Sequence, residues 1–67
     1  MASRSTVYRM VEAQLNEQGT SFEVLVPDLL DEGTSYQDIT FLIRERTSVP
    51  IHEATVRRWV KKLEAAA

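Results

Sequence analysis

Thr55-Val56-Arg57-Arg58-Trp59-Val60-Lys61-Lys62-Leu63 is the stretch whose reading decides the fold. Val56, Trp59, Val60 and Leu63 recur at i, i+3, i+4 and i+7, the spacing of one buried stripe on a helix. At about 100° per residue the opposite side carries Ala54, Arg58 and Lys61, with Arg57 and Lys62 on the flanks. The pattern predicts a helix from about Glu53 to Glu64, held by apolar residues on one side and presenting four cations on the other.

Working back along the chain, Thr47-Ser48-Val49-Pro50-Ile51 interrupts the helical period, because Val49 precedes a proline and is pushed towards extended geometry. A connector of about five residues is expected. Before it, Ser35 followed three positions later by Asp38 reads as an N-cap with its reciprocal partner. This opens a helix through Tyr36, Ile39, Leu42 and Ile43 to about Arg46. Phe41 falls off that stripe. A helix sandwiched between neighbours would bury it on a second side, and self-association through Phe41 and Met10 is the alternative.

Further upstream, Thr20 and Glu23 have the form of a capping box, and Phe22, Val24, Leu25, Val26, Leu29 and Leu30 supply apolar residues. Pro27 interrupts them, so either a kink or a helix beginning near Pro27 is expected, with Val24-Leu25-Val26 as a short extended segment the second option. Gly33 stops the element. Val7, Val11 and Leu15, with Tyr8 on the flank, mark a first helix near residues 6–18, with Ser5 or Thr6 as cap and Gly19 as its terminator. Residues 1–4 carry no pattern and are expected to be disordered, and 65–67 form a short alanine tail. The expected fold is all-α: one domain over residues 5–64, a compact bundle of three to four short helices containing a helix-turn-helix and no wing.

A chain of 67 residues holds one small core, and the absence of cysteine excludes a disulfide framework. The formal net charge is −2, but it is unevenly spread. From Met10 to Ile43 there is no Lys or Arg, while Glu12, Glu17, Glu23, Asp28, Asp31, Glu32 and Asp38 fall there. From Arg44 onward six bases, Arg44, Arg46, Arg57, Arg58, Lys61 and Lys62, face three acids, Glu45, Glu53 and Glu64. A phosphate within a Debye length of roughly 8 Å responds to that local field rather than to the net charge.

Ser35-Tyr36-Gln37-Asp38-Ile39 followed by Thr55-Val56-Arg57-Arg58-Trp59-Val60 resembles the small helix-turn-helix DNA-binding proteins of bacteriophages and actinobacteria. The same residues are similar to the helix-turn-helix domains of transposases and terminase small subunits. The resemblance covers roughly residues 33–63. It implies that Tyr36 and Ile39 pack the first helix of the motif, that Val56 and Trp59 anchor the recognition helix, and that Arg57 and Arg58 face DNA.

The expected function is double-stranded DNA binding, sequence-specific or architectural, in a phage or mobile-element regulatory or assembly role. The candidate DNA-binding residues are Ala54, Thr55, Arg57, Arg58, Lys61, Lys62, Arg44 and Arg46. With few cations per copy, a homodimer or higher homo-oligomer is expected. The alternative is a helical protein-interaction module, an adaptor or inhibitor using the acidic 12–38 face. No catalytic residue, cofactor or small-molecule substrate is expected, since there is a single histidine, no glycine-rich phosphate loop and too little chain to enclose a pocket. His52 lacks a second ligand at metal spacing and reads as a cap, so no metal site is expected. Trp59 reads as core rather than as a base-stacking platform. With no apolar run of about 20 residues, no membrane contact is expected and the chain is placed in the cytoplasm of a bacterial host cell.

Overall fold

The computed structural model describes residues 6–66, with side chains to Ala65. The disorder expected for residues 1–4 and the candidate cap Ser5 lie outside the described residues, as does Ala67. Four helices follow one another: α1 (Thr6–Glu17), α2 (Phe22–Asp31), α3 (Tyr36–Thr47) and α4 (Glu53–Ala66). There is no strand among the described residues. Ala65 and Ala66, expected to form a tail, continue α4.

Two glycines terminate the first two helices. At Gly19 (φ +82°) the Thr20 N–H reaches the Leu15 carbonyl at 3.0 Å and the Gly19 N–H reaches that of Asn16 at 3.0 Å. Gly33 (φ +88°) repeats the arrangement, with Thr34 bonded to Leu29 and Gly33 to Leu30. Both are left-handed terminations in which the 6→1 and 5→2 bonds satisfy otherwise orphaned carbonyls.

Because Thr20 is occupied in closing α1, the cap of α2 falls one residue later than expected. Ser21, in extended geometry, accepts from the Val24 N–H at 3.3 Å. A second group completes this N-terminus: Glu12 of α1 accepts the Phe22 N–H at 2.7 Å. The helix then passes through Pro27, and neither a start near Pro27 nor an extended Val24–Val26 segment is found. Proline cannot return the bond that the Glu23 carbonyl would receive. Pro27 is exposed, so water can reach that carbonyl, and the buried Phe22 and Val26 hold the helix to the core.

Half of the expected cap of α3 is found: Ser35 accepts from the Asp38 N–H at 3.1 Å, and the Asp38 carboxylate makes no reciprocal bond among the described residues. Two threonines inside the helix return their hydroxyls to the preceding turn, Thr40 to Tyr36 at 2.8 Å and Thr47 to Ile43 at 2.7 Å. This lets both be buried without an orphaned polar atom. Thr47 also accepts from the Val49 N–H at 3.3 Å, which draws the connector inward.

α3 packs against each of the other three helices. Its Ile39 and Ile43 join Val11, Leu15, Val26, Val56 and Val60 in a single core. On one side of that core lies a ring cluster drawn from the remaining helices. Tyr8 and Phe22 both meet Trp59 nearly edge-on, with centroids 4.9 and 5.4 Å away, and lie 5.7 Å from each other. Tyr8 is therefore core and not flank, 6% exposed, whereas Val7, expected inside, is 38% exposed. The radius of gyration, 11.2 Å, is close to the roughly 11 Å of a compact chain this long.

The Glu12 carboxylate adds to the Ser21 cap on a helix that already carries a proline. Replacing Glu12 by Ala is expected to lower the unfolding free energy by about 1 kcal/mol, measured by urea denaturation, although alanine is the better helix former.

Candidate nucleic-acid interface

The outer face of α4 is set by what fixes its inner face. Val56, Trp59 and Val60 are buried and Leu63 half-buried, so the helix cannot roll without withdrawing its apolar stripe from the core. Ala54, Arg58, Lys61 and Lys62 then face solvent, and Thr55 is half-buried at the edge. This is the arrangement expected from the period of the sequence. Among the described residues, Arg58, Lys61 and Lys62 make no ion pair or hydrogen bond.

Arg57 differs from its neighbours. Its guanidinium pairs with Glu53 one turn earlier, Nη2 and Nε lying 2.7 and 2.8 Å from Oε2, and its Cζ stands 4.5 Å from the centre of the Tyr36 ring. A cation over an aromatic face is attracted by the ring quadrupole, and the planar guanidinium can stack while it pairs. Arg57 therefore joins the start of α4 to the start of α3. The sequence pattern alone gave it the same outward role as Arg58. The signal that separates them is Glu53 at i−4, the favourable acid-before-base order on a helix. Glu64 lies on that same flank of α4, so acids line the Arg57 side, while Arg58 and Lys62 lie away from it and Lys61 stands between.

Residues 48–52 connect α3 to α4, the five-residue link expected. Its first residue, Ser48, is left-handed (φ 58°, ψ 22°) and donates its N–H to the Arg44 carbonyl at 2.8 Å. Val49 and Ile51 are buried, so the link is pinned at two points as part of the core. His52 acts through its backbone, its carbonyl accepting from Thr55 at 3.0 Å and Val56 at 3.2 Å, while its side chain is exposed and makes no cap among the described residues.

Arg44 and Arg46 do not extend the α4 face together. Two residues apart on one helix they project about 200° from each other. Arg44 lies beside the exposed Phe41, and Arg46 lies on the side where its carbonyl accepts from the Gln18 amide at 2.8 Å. Phe41 is 62% exposed, so no neighbour buries its outer side, and Met10, 50% exposed on α1, does not line the groove beside it.

No family model, curated protein or solved structure matches the chain. What it does has to be read from its own side chains. No described helix is long and apolar enough to cross a membrane.

The Arg57 clamp makes a quantitative expectation. In a double-mutant cycle of Arg57→Ala and Tyr36→Leu, thermal or urea unfolding should return a coupling of about 0.5 kcal/mol, the size of an exposed cation–π contact. Two effects that simply add would mean that the stacked geometry contributes nothing.

Proposed function

We propose that this protein binds double-stranded DNA, with α3 and α4 acting as a helix-turn-helix and α4 as the helix that enters the major groove. The observation that carries the reading is the free outer face of α4: Arg58, Lys61 and Lys62 are solvent-exposed and unpaired on a helix whose inner face is clamped by Val56, Trp59 and Val60. A groove about 12 Å wide admits one helix, and the small Ala54 lets its first turns approach base edges. Arg58, one turn further on, then reaches bases, while Lys61 and Lys62 reach phosphates.

The Glu53–Arg57 pair narrows this face. Arg57 is engaged with a carboxylate and a ring, which makes it a residue that positions α4 against α3 rather than a reader of DNA. The contact set is then Ala54, Thr55, Arg58, Lys61 and Lys62. The acids of the first half of the chain, including Glu17, Asp28, Asp31 and Glu32, are exposed on α1, α2 and the turn that follows. They repel phosphate, so the chain is electrostatically polarised and approaches a duplex with α4 leading. Phage or mobile-element regulation or assembly is the setting that the sequence resemblance favours, in a bacterial cytoplasm.

Fluorescence anisotropy with a random duplex pool tests the reading. The apparent affinity should fall with salt on a log–log slope of about −0.9 per neutralised phosphate. The double variant Arg58→Ala, Lys61→Ala should lose binding while its circular dichroism and melting temperature stay at the parent values. Arg57→Ala should retain most of it. A double variant that binds like the parent overturns the assignment of α4. A parent chain that ignores duplex DNA at low salt leaves the acidic face and a protein partner as the reading to pursue.

A further inference from the structure

We propose that the outer face of α3 is a homodimer interface, in which two copies pair about a two-fold axis running parallel to α3 with Phe41 at the centre. The inference does not rest on DNA binding. Phe41 is the most exposed large apolar side chain among the described residues. It lies at one end of an open groove of about 310 Å³ walled by Arg44, Glu45, Ser48, Val49 and Pro50. An aromatic ring left in water at the middle of a helix contributes nothing to the monomer's core, and its burial is favourable in proportion to the area covered.

The charges around Phe41 say what covers it. Arg44, three residues on, projects about 60° to one side of Phe41, and Glu45, four residues on, about 40° to the other. Both are exposed, and neither has an ion pair or hydrogen bond through its side chain among the described residues. Just after Phe41 the patch thus carries one unpaired cation and one unpaired anion at nearly the same height on opposite sides of an apolar centre, and Asp38, three residues before Phe41, is a second unpaired anion on the Glu45 side. Such a surface is its own complement under a two-fold operation, as an isologous interface requires.

The same arithmetic selects the direction. With the axis along α3, the two helices run parallel, Phe41 meets Phe41 of the second copy, and each Arg44 faces Glu45 of the other copy. With the axis across α3, the helices run antiparallel and each Glu45 is brought beside Asp38 of the other copy, two repulsive pairs in place of two attractive ones. The parallel pairing satisfies both charges and is the one proposed. Arg44 is consequently a dimer residue and is spent before DNA is met.

Sedimentation equilibrium without nucleic acid, up to about 1 mM chain to reach the weak end of specific association, tests the proposal. The parent should dimerise with concentration. Phe41→Ser should be monomeric over the same range with an unchanged circular dichroism spectrum, since Phe41 is outside the core. Arg44→Glu and Glu45→Arg should each raise the dimer Kd about tenfold, and the double exchange should bring it back to within a few-fold of the parent. A parent that stays monomeric overturns the proposal and leaves this face to another protein. A dimer that Phe41→Ser leaves intact overturns the location, and one tightened by Glu45→Arg alone overturns the parallel direction.

Discussion

The edge-on packing of Trp59 against Tyr8 and Phe22 is the constraint on which the other features depend. It is where α4 meets both α1 and α2, while α3 closes the core from beneath with Ile39 and Ile43. A chain of this length buries too little surface to tolerate a loose element, so orientation has to come from shaped contacts and not from bulk. Three rings in mutual contact at steep angles supply that shape, because an indole that meets two rings edge-on cannot turn without losing both contacts. With Trp59 fixed, Val56 and Val60 are placed to either side of it and the direction of Arg58 and Lys61 follows from helical geometry.

The architecture was legible in the sequence because α4 and α3 obey a clean helical period and carry punctuation that local chemistry can interpret. Ser35 caps as its spacing with Asp38 implies, and Gly19 and Gly33 end helices for the reason glycine usually does, a left-handed residue at the terminus. What was not legible depends on long-range geometry. Nothing local distinguishes Tyr8 from Val7 as the buried member of α1, since both lie within reach of the stripe and only the position of Trp59 decides. Thr20 and Ser21 are equivalent caps on local grounds, and only the fold shows that Thr20 closes α1 through its N–H while the Ser21 hydroxyl caps α2. Glu12 reaches the start of α2 across a turn, and no spacing rule at ten residues' separation predicts that a carboxylate will cap there. Val49 and Ile51 flank a proline in a link that the sequence marks only as a break in the helical period, and they belong to the core, where the Thr47 hydroxyl helps hold the backbone in.

The basic face was visible for a simpler reason: outward direction on a helix is the complement of inward direction, and the inward residues are unmistakable. Its internal division was not. Arg57 and Arg58 are adjacent, identical in type and both exposed, but one lies a turn above Glu53 and over Tyr36 while the other has no such neighbours. A surface ion pair of this kind adds little stability. Its effect is geometric, since a guanidinium held by a carboxylate and a ring stiffens the approach of α4 to α3. The carboxylate at the first turn of α4 thus has a role inside the fold, and its place at the start of a basic helix is accounted for by Arg57.

Net charge and local charge act on different partners in so small a molecule. An overall excess of acid keeps copies of the chain apart at long range, which disfavours indiscriminate association and leaves short-range complementarity to decide what is bound. The patches that remain unsatisfied within the monomer are then the informative ones. On the outer face of α4 Arg58, Lys61 and Lys62 are unsatisfied and of one sign, with Glu64 the exposed acid near the end of the helix, so the partner proposed for that face is one rich in negative charge. Around Phe41 on α3 they are of both signs, Arg44 on one side with Glu45 and Asp38 on the other, which is why a second copy is the partner proposed for that face. The two faces differ in kind because a run of like charges cannot pair with itself, whereas Arg44 and Glu45 can, so the two proposed partners, a duplex and a second copy, would not compete for one surface.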